Sequence, residues 1–95
     1  MPAFPVAIYR VAEHSMEPTI KEGSYVVVNC WYISLSPNDV VVIRGTDGMT
    51  IIKRIKKIGT GGLFLLGDNR SQSVDSRRFG LLYRESVIGK VIAVV

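Results

Sequence analysis

The sequence holds one cysteine, one histidine and one tryptophan in 95 residues. A single cysteine, Cys30, excludes an intrachain disulfide; set between Asn29 and Trp31, it reads as a small core hydrophobe. Its solitude fits a reducing compartment without requiring one. One histidine and one cysteine cannot build a zinc site, so no metal and no other cofactor is expected. No apolar run approaches the ~20 residues that a membrane-spanning helix needs. The longest runs, such as "VIAVV" at 91–95 and "LFLL" at 63–66, are far shorter. The start, "MPAFPVAIYR", lacks the positive stretch and apolar stretch of a secretory leader. The expectation is a soluble chain without a membrane anchor, in the cytoplasm or peripheral to a membrane. A sustained helical period is also missing, which argues against a helical fold.

What is present points to a small folded domain. Hydrophobic residues make up 47% of the chain, too many for a disordered tail. The length suits one domain, burying about 60–65% of the surface its unfolded chain exposes. Twelve Lys and Arg against eight Asp and Glu give +4, a mild excess that permits an acidic partner without demanding one. Six runs rich in Val, Ile, Tyr and Phe, at 6–11, 24–29, 39–44, 50–58, 62–67 and 86–95, are separated by turn signals such as "KEG", "SPN", "GTDG" and "GTG". These predict an all-β or mostly-β domain with few or no helices: a coiled antiparallel sheet or partly open barrel. One long segment, "DNRSQSVDSRRFG" at 68–80, has no strand character, and loops of this length are usually functional or disordered. Its Asp, Arg, Asn and Ser can order it through side-chain hydrogen bonds.

The stretch "EHSMEPTI" (13–20) places a serine at a corner, because Glu17 precedes a proline and is pushed out of the helical region. Ser15 there is either a turn residue or an exposed nucleophile. A serine nucleophile needs a base. His14 is a poor one, since adjacent side chains in extended backbone point to opposite faces. A neutral lysine can serve if its pKa falls by roughly 2–3 units from ~10.4, about 3–4 kcal/mol of preference for the uncharged form. Lys53, in "MTIIKRIKKI", follows two isoleucines and has Arg54, Lys56 and Lys57 close by, the setting of burial and neighbouring charge that lowers a lysine. Lys21, Lys56, Lys57 and Lys90 read as solvated. Alternation alone does not bury Lys53: it groups Lys53 with Ile55 and Lys57, and Ile52 with Arg54, Lys56 and Ile58. Taken alone, "KRIKK" reads as a wet strand face or a nucleic-acid patch.

"SMEPTI" (15–20), "IIKRI" (51–55) and "GDNRSQSVDSRRFG" (67–80), in this order, resemble the motif set of the type I signal peptidases, the Ser–Lys peptidases. "GSYVVVN" and "NDVVVIRG" resemble the framework strands between them, so the likeness runs from about Val11 to Val91. It implies a single peptidase catalytic domain over 1–95, with the fold shared by signal peptidases and the LexA-type self-cleaving repressors. It implies Ser15 as nucleophile and Lys53, 38 residues on, as general base. Ser73 would hydrogen-bond the lysine amine and orient it. Asp75 and Arg77 would pair and brace the loop under Lys53. Gly67, Asp68 and Asn69 would form the turn leading into the site, and Arg54 would be a structural neighbour of the base. Ser71 and Ser76 read as loop serines.

Two positions depart from the family pattern. Many bacterial members carry a hydroxyl or glycine two residues before the nucleophile, serving the oxyanion hole. This chain has Glu13 there, which is expected to point away and leave the hole to the Ser15 N–H and a neighbouring amide. Thr50 stands where several relatives carry an acid facing the arginine after the base. The resemblance also implies a precursor or signal peptide bound as an added strand beside "YRVAEH" and "TIIK", with Val11, Met16, Ile20 and Ile52 lining pockets for small side chains. The apolar strands leave a peripheral membrane contact open. Alternatives are a soluble maturation peptidase, like those that trim nickel superoxide dismutase precursors, or a LexA-like regulatory domain. Self-cleavage is disfavoured because only 14 residues precede Ser15, with no Ala-Gly or Cys-Gly pair among them. A non-catalytic nucleic-acid-binding β-domain using Lys53, Arg54, Lys56, Lys57, Arg77 and Arg78 is weaker still, with only Phe79 and Tyr83 nearby to stack on bases.

Overall fold

The computed structural model describes residues 4–45 and 47–95. Thr46, in the expected "GTDG" turn, and the first three residues lie outside the described residues. Six strands form: β1 (Val6–Arg10), β2 (Tyr25–Asn29), β3 (Val40–Arg44), β4 (Thr50–Gly59), β5 (Gly62–Leu66) and β6 (Val87–Val94). All six fall on the expected β-branched runs, within one residue at each end. They make one sheet in the order β1-β2-β6-β3-β4-β5, antiparallel throughout. The sheet is open. β1 is one edge, and β5 is the other; on its free side β5 meets the later chain at a Leu63–Leu82 bridge and through the Leu65 N–H, which donates to Ser76 Oγ.

Strand β3 explains its own sequence. Val41, Val42 and Ile43 have no exposed surface, because the sheet is covered on both faces there. Val42 packs with Val11, Met16, Ile20, Val26 and Val28, whereas Val41 and Ile43 pack with Ile55, Leu63, Leu65 and Val87. A strand buried on both faces reads as an unbroken apolar run, here "VVVI", rather than an alternation. Cys30 belongs to the first cluster, 6% exposed.

Strand β4 carries a β-bulge that corrects the simple alternation. Ile55 pairs with Leu65, but Lys57, not Lys56, pairs with Phe64, and Ile58 with Leu63. The extra residue reverses the facing of everything after it. Ile58 therefore packs in the same cluster as Ile55, while Lys56 and Lys57 are both exposed. Lys53 lies before the bulge, in phase with Ile55, and is 1% exposed.

The long segment after β5 holds a 3-10 turn (Arg70–Gln72) and α1 (Ser76–Phe79), whose N-terminus Asp75 caps by accepting the Arg77 N–H. A second 3-10 turn, Arg84–Ser86, leads into β6. Among the described residues, no helix is long and apolar enough to cross a membrane.

Candidate active site

Ser15 lies in the connection between β1 and β2. That connection closes on itself: the Val11 N–H donates to Ser24 O (2.8 Å), the Glu17 N–H to His14 O (3.1 Å) and the Ile20 N–H to Met16 O (2.9 Å). Met16 and Ile20, each 1% exposed, anchor the turn in the core, and Ser15 between them and the surface is 3% exposed. Burial of a serine in a turn separates it from the ordinary solvated turn serine.

Register sets where the lysine lies and where the loop after β5 begins. β4 and β5 pair Arg54 with Leu66, the last pair of their ladder, so Lys53 and Gly67 are the next residue of each strand's chain beyond it. Gly67 has no Cβ, and the space is taken: a methyl built there would lie 2.2 Å from Ser73 Oγ and 2.6 Å from the Ser15 carbonyl oxygen. Lys53, on β4, feels the charges of Glu13, Asp75 and Arg77, the last two from the loop that follows Gly67. The buried polar and charged residues are Ser15, Lys53, Asp75 and Ser76, all belonging to this one region or its supporting loop.

Two carboxylates fasten the loop. Asp75, 1% exposed, accepts from the Gly67 N–H (2.9 Å), the Ser73 hydroxyl (2.8 Å) and the Arg77 guanidinium (2.9 and 3.1 Å). Burial alone would raise its pKa, but these donors outweigh it and hold the carboxyl well below the usual range. Asp68 accepts a two-pronged bond from Arg54 (both 2.8 Å) and one from the Thr19 hydroxyl (2.6 Å). Asn69 joins the loop to the serine turn: its N–H donates to Ser15 O (2.8 Å) and its amide to His14 O (3.1 Å). The Asp68 N–H lies 3.4 Å from Met16 Sδ.

Burial lowers the pKa of Lys53, and Arg77 adds to this, against the opposing fields of Glu13 and Asp75. The Ser15 hydroxyl and the Lys53 amine hydrogen-bond to no described residue. Yet no fully enclosed side-chain nitrogen or oxygen among the described residues lacks a partner. Some of the little exposure these two residues keep is therefore at the hydroxyl and the amine.

A family model described as Peptidase S24-like matches residues 2–92. The chain belongs to the Peptidase S24-like family. It is also similar to "Signal peptidase I V" of Bacillus subtilis (strain 168), 23% identical, with 87% of this chain and 82% of that protein covered. A peptidase-family function follows at this level.

Within this S24-like chain several expectations need correction. Ser73 is expected on the lysine amine; its hydroxyl donates to Asp75, no bond joins it to that amine, and its lone pairs stay open to a donor. Ile20 is a core residue, absent from the walls of either cleft described below. Ser76 is no ordinary loop serine: it is buried, and its Oγ accepts the Leu65 N–H (2.8 Å), a backbone donor of β5. The partner of Arg54 is Asp68, so Thr50 leaves no arginine unanswered. Glu13 does not turn wholly away. It is exposed but borders both clefts, and its charge reaches Lys53. His14 faces outward, its Nδ1 3.0 Å from Glu17 Oε2, an ion pair that raises its pKa. Of the six cations suggested for nucleic acid, Lys53 is buried and Arg54 and Arg77 are held by carboxylates.

Two clefts border Glu13, and Ser15 lines the first of them. The first, about 70 Å³, lies between β1 and β4, which are not neighbours in the sheet; Val11, Ser15, Met16, Val42 and Ile52 line it. The second, about 270 Å³, is lined by Glu13, Asp47, Ile51, Val74, Phe79 and Leu82. Glu13 and Ile51 belong to both and form the ridge between them.

Proposed function

We propose that this chain is a serine endopeptidase in which Lys53 activates Ser15, cutting a precursor protein after a small side chain. In this reading the uncharged amine takes the Ser15 proton as Oγ attacks the scissile carbonyl carbon. The ammonium then gives that proton to the departing amine, leaving an ester on Ser15. A water, deprotonated by the same lysine, hydrolyses the ester and restores the hydroxyl. The Ser15 N–H, which donates to no described backbone acceptor, is free to hold the oxyanion. Ser73 is a positioning residue: with its hydrogen committed to Asp75, its oxygen can accept from Lys53.

The observation that carries the reading is a lysine 1% exposed, its pKa lowered by burial, that feels Glu13 beside the Ser15 turn and Asp75 in the loop, while Gly67 lets that loop pack against Ser15. The small first cleft, walled by Val11, Met16 and Ile52, supports a preference for small side chains. The bacterial signal peptidase among its relatives supports a signal-peptide type of site. The substrate would add to the open sheet as a strand between β1 and β4.

The test is cleavage of a peptide with alanines at the cleavage site and two residues before it. Ser15→Ala and Lys53→Met are each expected to lower kcat/KM by at least ~10³, because residues acting as a unit fail together. A β-lactam or penem probe should add its mass to the parent and not to Ser15→Ala. Equal cleavage by parent and variants would end this reading.

A further inference from the structure

The second cleft differs from the first in size, wall and charge. It is nearly four times larger, at about 270 against about 70 Å³. Ile51, Val74, Phe79 and Leu82 give it an apolar wall. Its charged lining is Glu13 and Asp47, with no lysine or arginine, in a chain that carries an excess of four positive charges. Glu13 makes no ion pair with a described residue, and Asp47 spends one carboxylate oxygen on the Met49 N–H (3.0 Å). An apolar trough ending in unpaired carboxylates matches a side chain with an aliphatic stem and a cationic head.

We infer that this second cleft is a specificity site for a lysine or arginine of the substrate, next in sequence to the small residue seated in the first cleft. The inference rests on the peptidase reading for its substrate, and its logic is the strand period. A peptide laid along the ridge of Glu13 and Ile51 points successive side chains to opposite sides. If one falls into the small cleft, its immediate neighbours fall on the side of the large one. The stem lies on the apolar wall of Ile51, Val74, Phe79 and Leu82, and Glu13 and Asp47 supply the charge. Glu13, the departure from the family pattern at this position, is thereby a specificity-determining residue.

Binding can be read apart from catalysis. Ser15→Ala protein is titrated with labelled peptides that keep alanine in the small cleft and carry lysine, norleucine or glutamate at the residue just before it, and in a second series just after it. In one of the two series the lysine peptide is expected to bind about five- to tenfold tighter than norleucine at low ionic strength, and the glutamate peptide weakest, with the advantage shrinking as salt rises. In the same background, Glu13→Gln and Asp47→Asn should each bring the lysine-to-norleucine ratio toward one. Lysine peptides that bind no better than norleucine in both series, or a ratio untouched by both substitutions, overturn the inference. Cleavage by the parent protein reports separately on the peptidase reading, so the two failures are distinguishable.

Discussion

Asp68 and Asp75 stand in the same loop, each held by an arginine, and they do different things. Asp75 is 1% exposed and gathers donors from the loop itself: Gly67, Ser73 and Arg77. Asp68 keeps 15% of its side chain exposed and joins separate parts of the chain, Arg54 on β4 and Thr19 in the serine turn. One shapes the loop from within; the other ties the loop to its surroundings. The difference follows from burial. A carboxylate with no water around it must have every lone pair answered by protein. A carboxylate at the surface can share itself between distant partners at little cost.

Substitutions should separate the two roles. The largest effect is expected for Asp75→Asn, which removes the charge under the site and leaves Ser73 without its fixed acceptor. Stability should drop by about 2–4 kcal/mol in urea unfolding. Cleavage should fall by about 10²-fold, as for other losses of site positioning. Because Asp75 favours the charged lysine, its loss should also move the ascending limb of the pH–rate profile to lower pH. A purely structural carboxylate would not shift that limb.

The next effect concerns the lysine. Its folded pKa lies below that of the unfolded chain, so between the two values the unfolded state binds a proton that the native state does not. Stability of the parent should rise with pH across that window. In Lys53→Met this rise should vanish, with the variant's gain over the parent largest at the low-pH end and absent above ~10.4. Equal slopes for both proteins in denaturant titrations from pH 7 to 11 would show a lysine protonated as in water.

Asp68→Asn should be milder, about 1–2 kcal/mol, since its pair with Arg54 is partly solvated, and kcat/KM should stay within about threefold. Thr19→Val, which removes one hydrogen bond to Asp68, should cost about 0.5–1 kcal/mol. If Asp68→Asn proves as damaging to cleavage as Asp75→Asn, the division of labour between them is wrong.

Much of this arrangement was legible in the residues. The six strands followed from runs of β-branched residues between Gly, Pro and Asn turns, because local preference and tertiary environment agree there. Ser15, Lys53 and the loop were legible as motifs. The hidden parts depend on three-dimensional register. Nothing in "IIKRIKKI" announces that Lys56 is the unpaired residue, yet this explains a pattern that alternation could not. The Ser73–Asp75 bond was hidden for a similar reason: it depends on how the loop folds back, which brings the Asp75 carboxylate, two residues on, to the Ser73 hydroxyl. Ser76 looks like any loop serine until the fold sets it against the Leu65 amide. Ile20 fits a pocket wall by composition, and only packing shows that it faces the core.

The unpaired residue at 56 has a consequence for how this protein can change. It works as a slip in phase: on its near side, Lys53 keeps step with the apolar interior, and on its far side the tip of the hairpin keeps step separately. The tip from Lys57 to Phe64 can therefore be rebuilt or lengthened by pairs of residues without rotating the amine out of the interior. Removing the slip itself would force the two halves back into one rhythm, and either the amine or Ile58 would have to face the solvent.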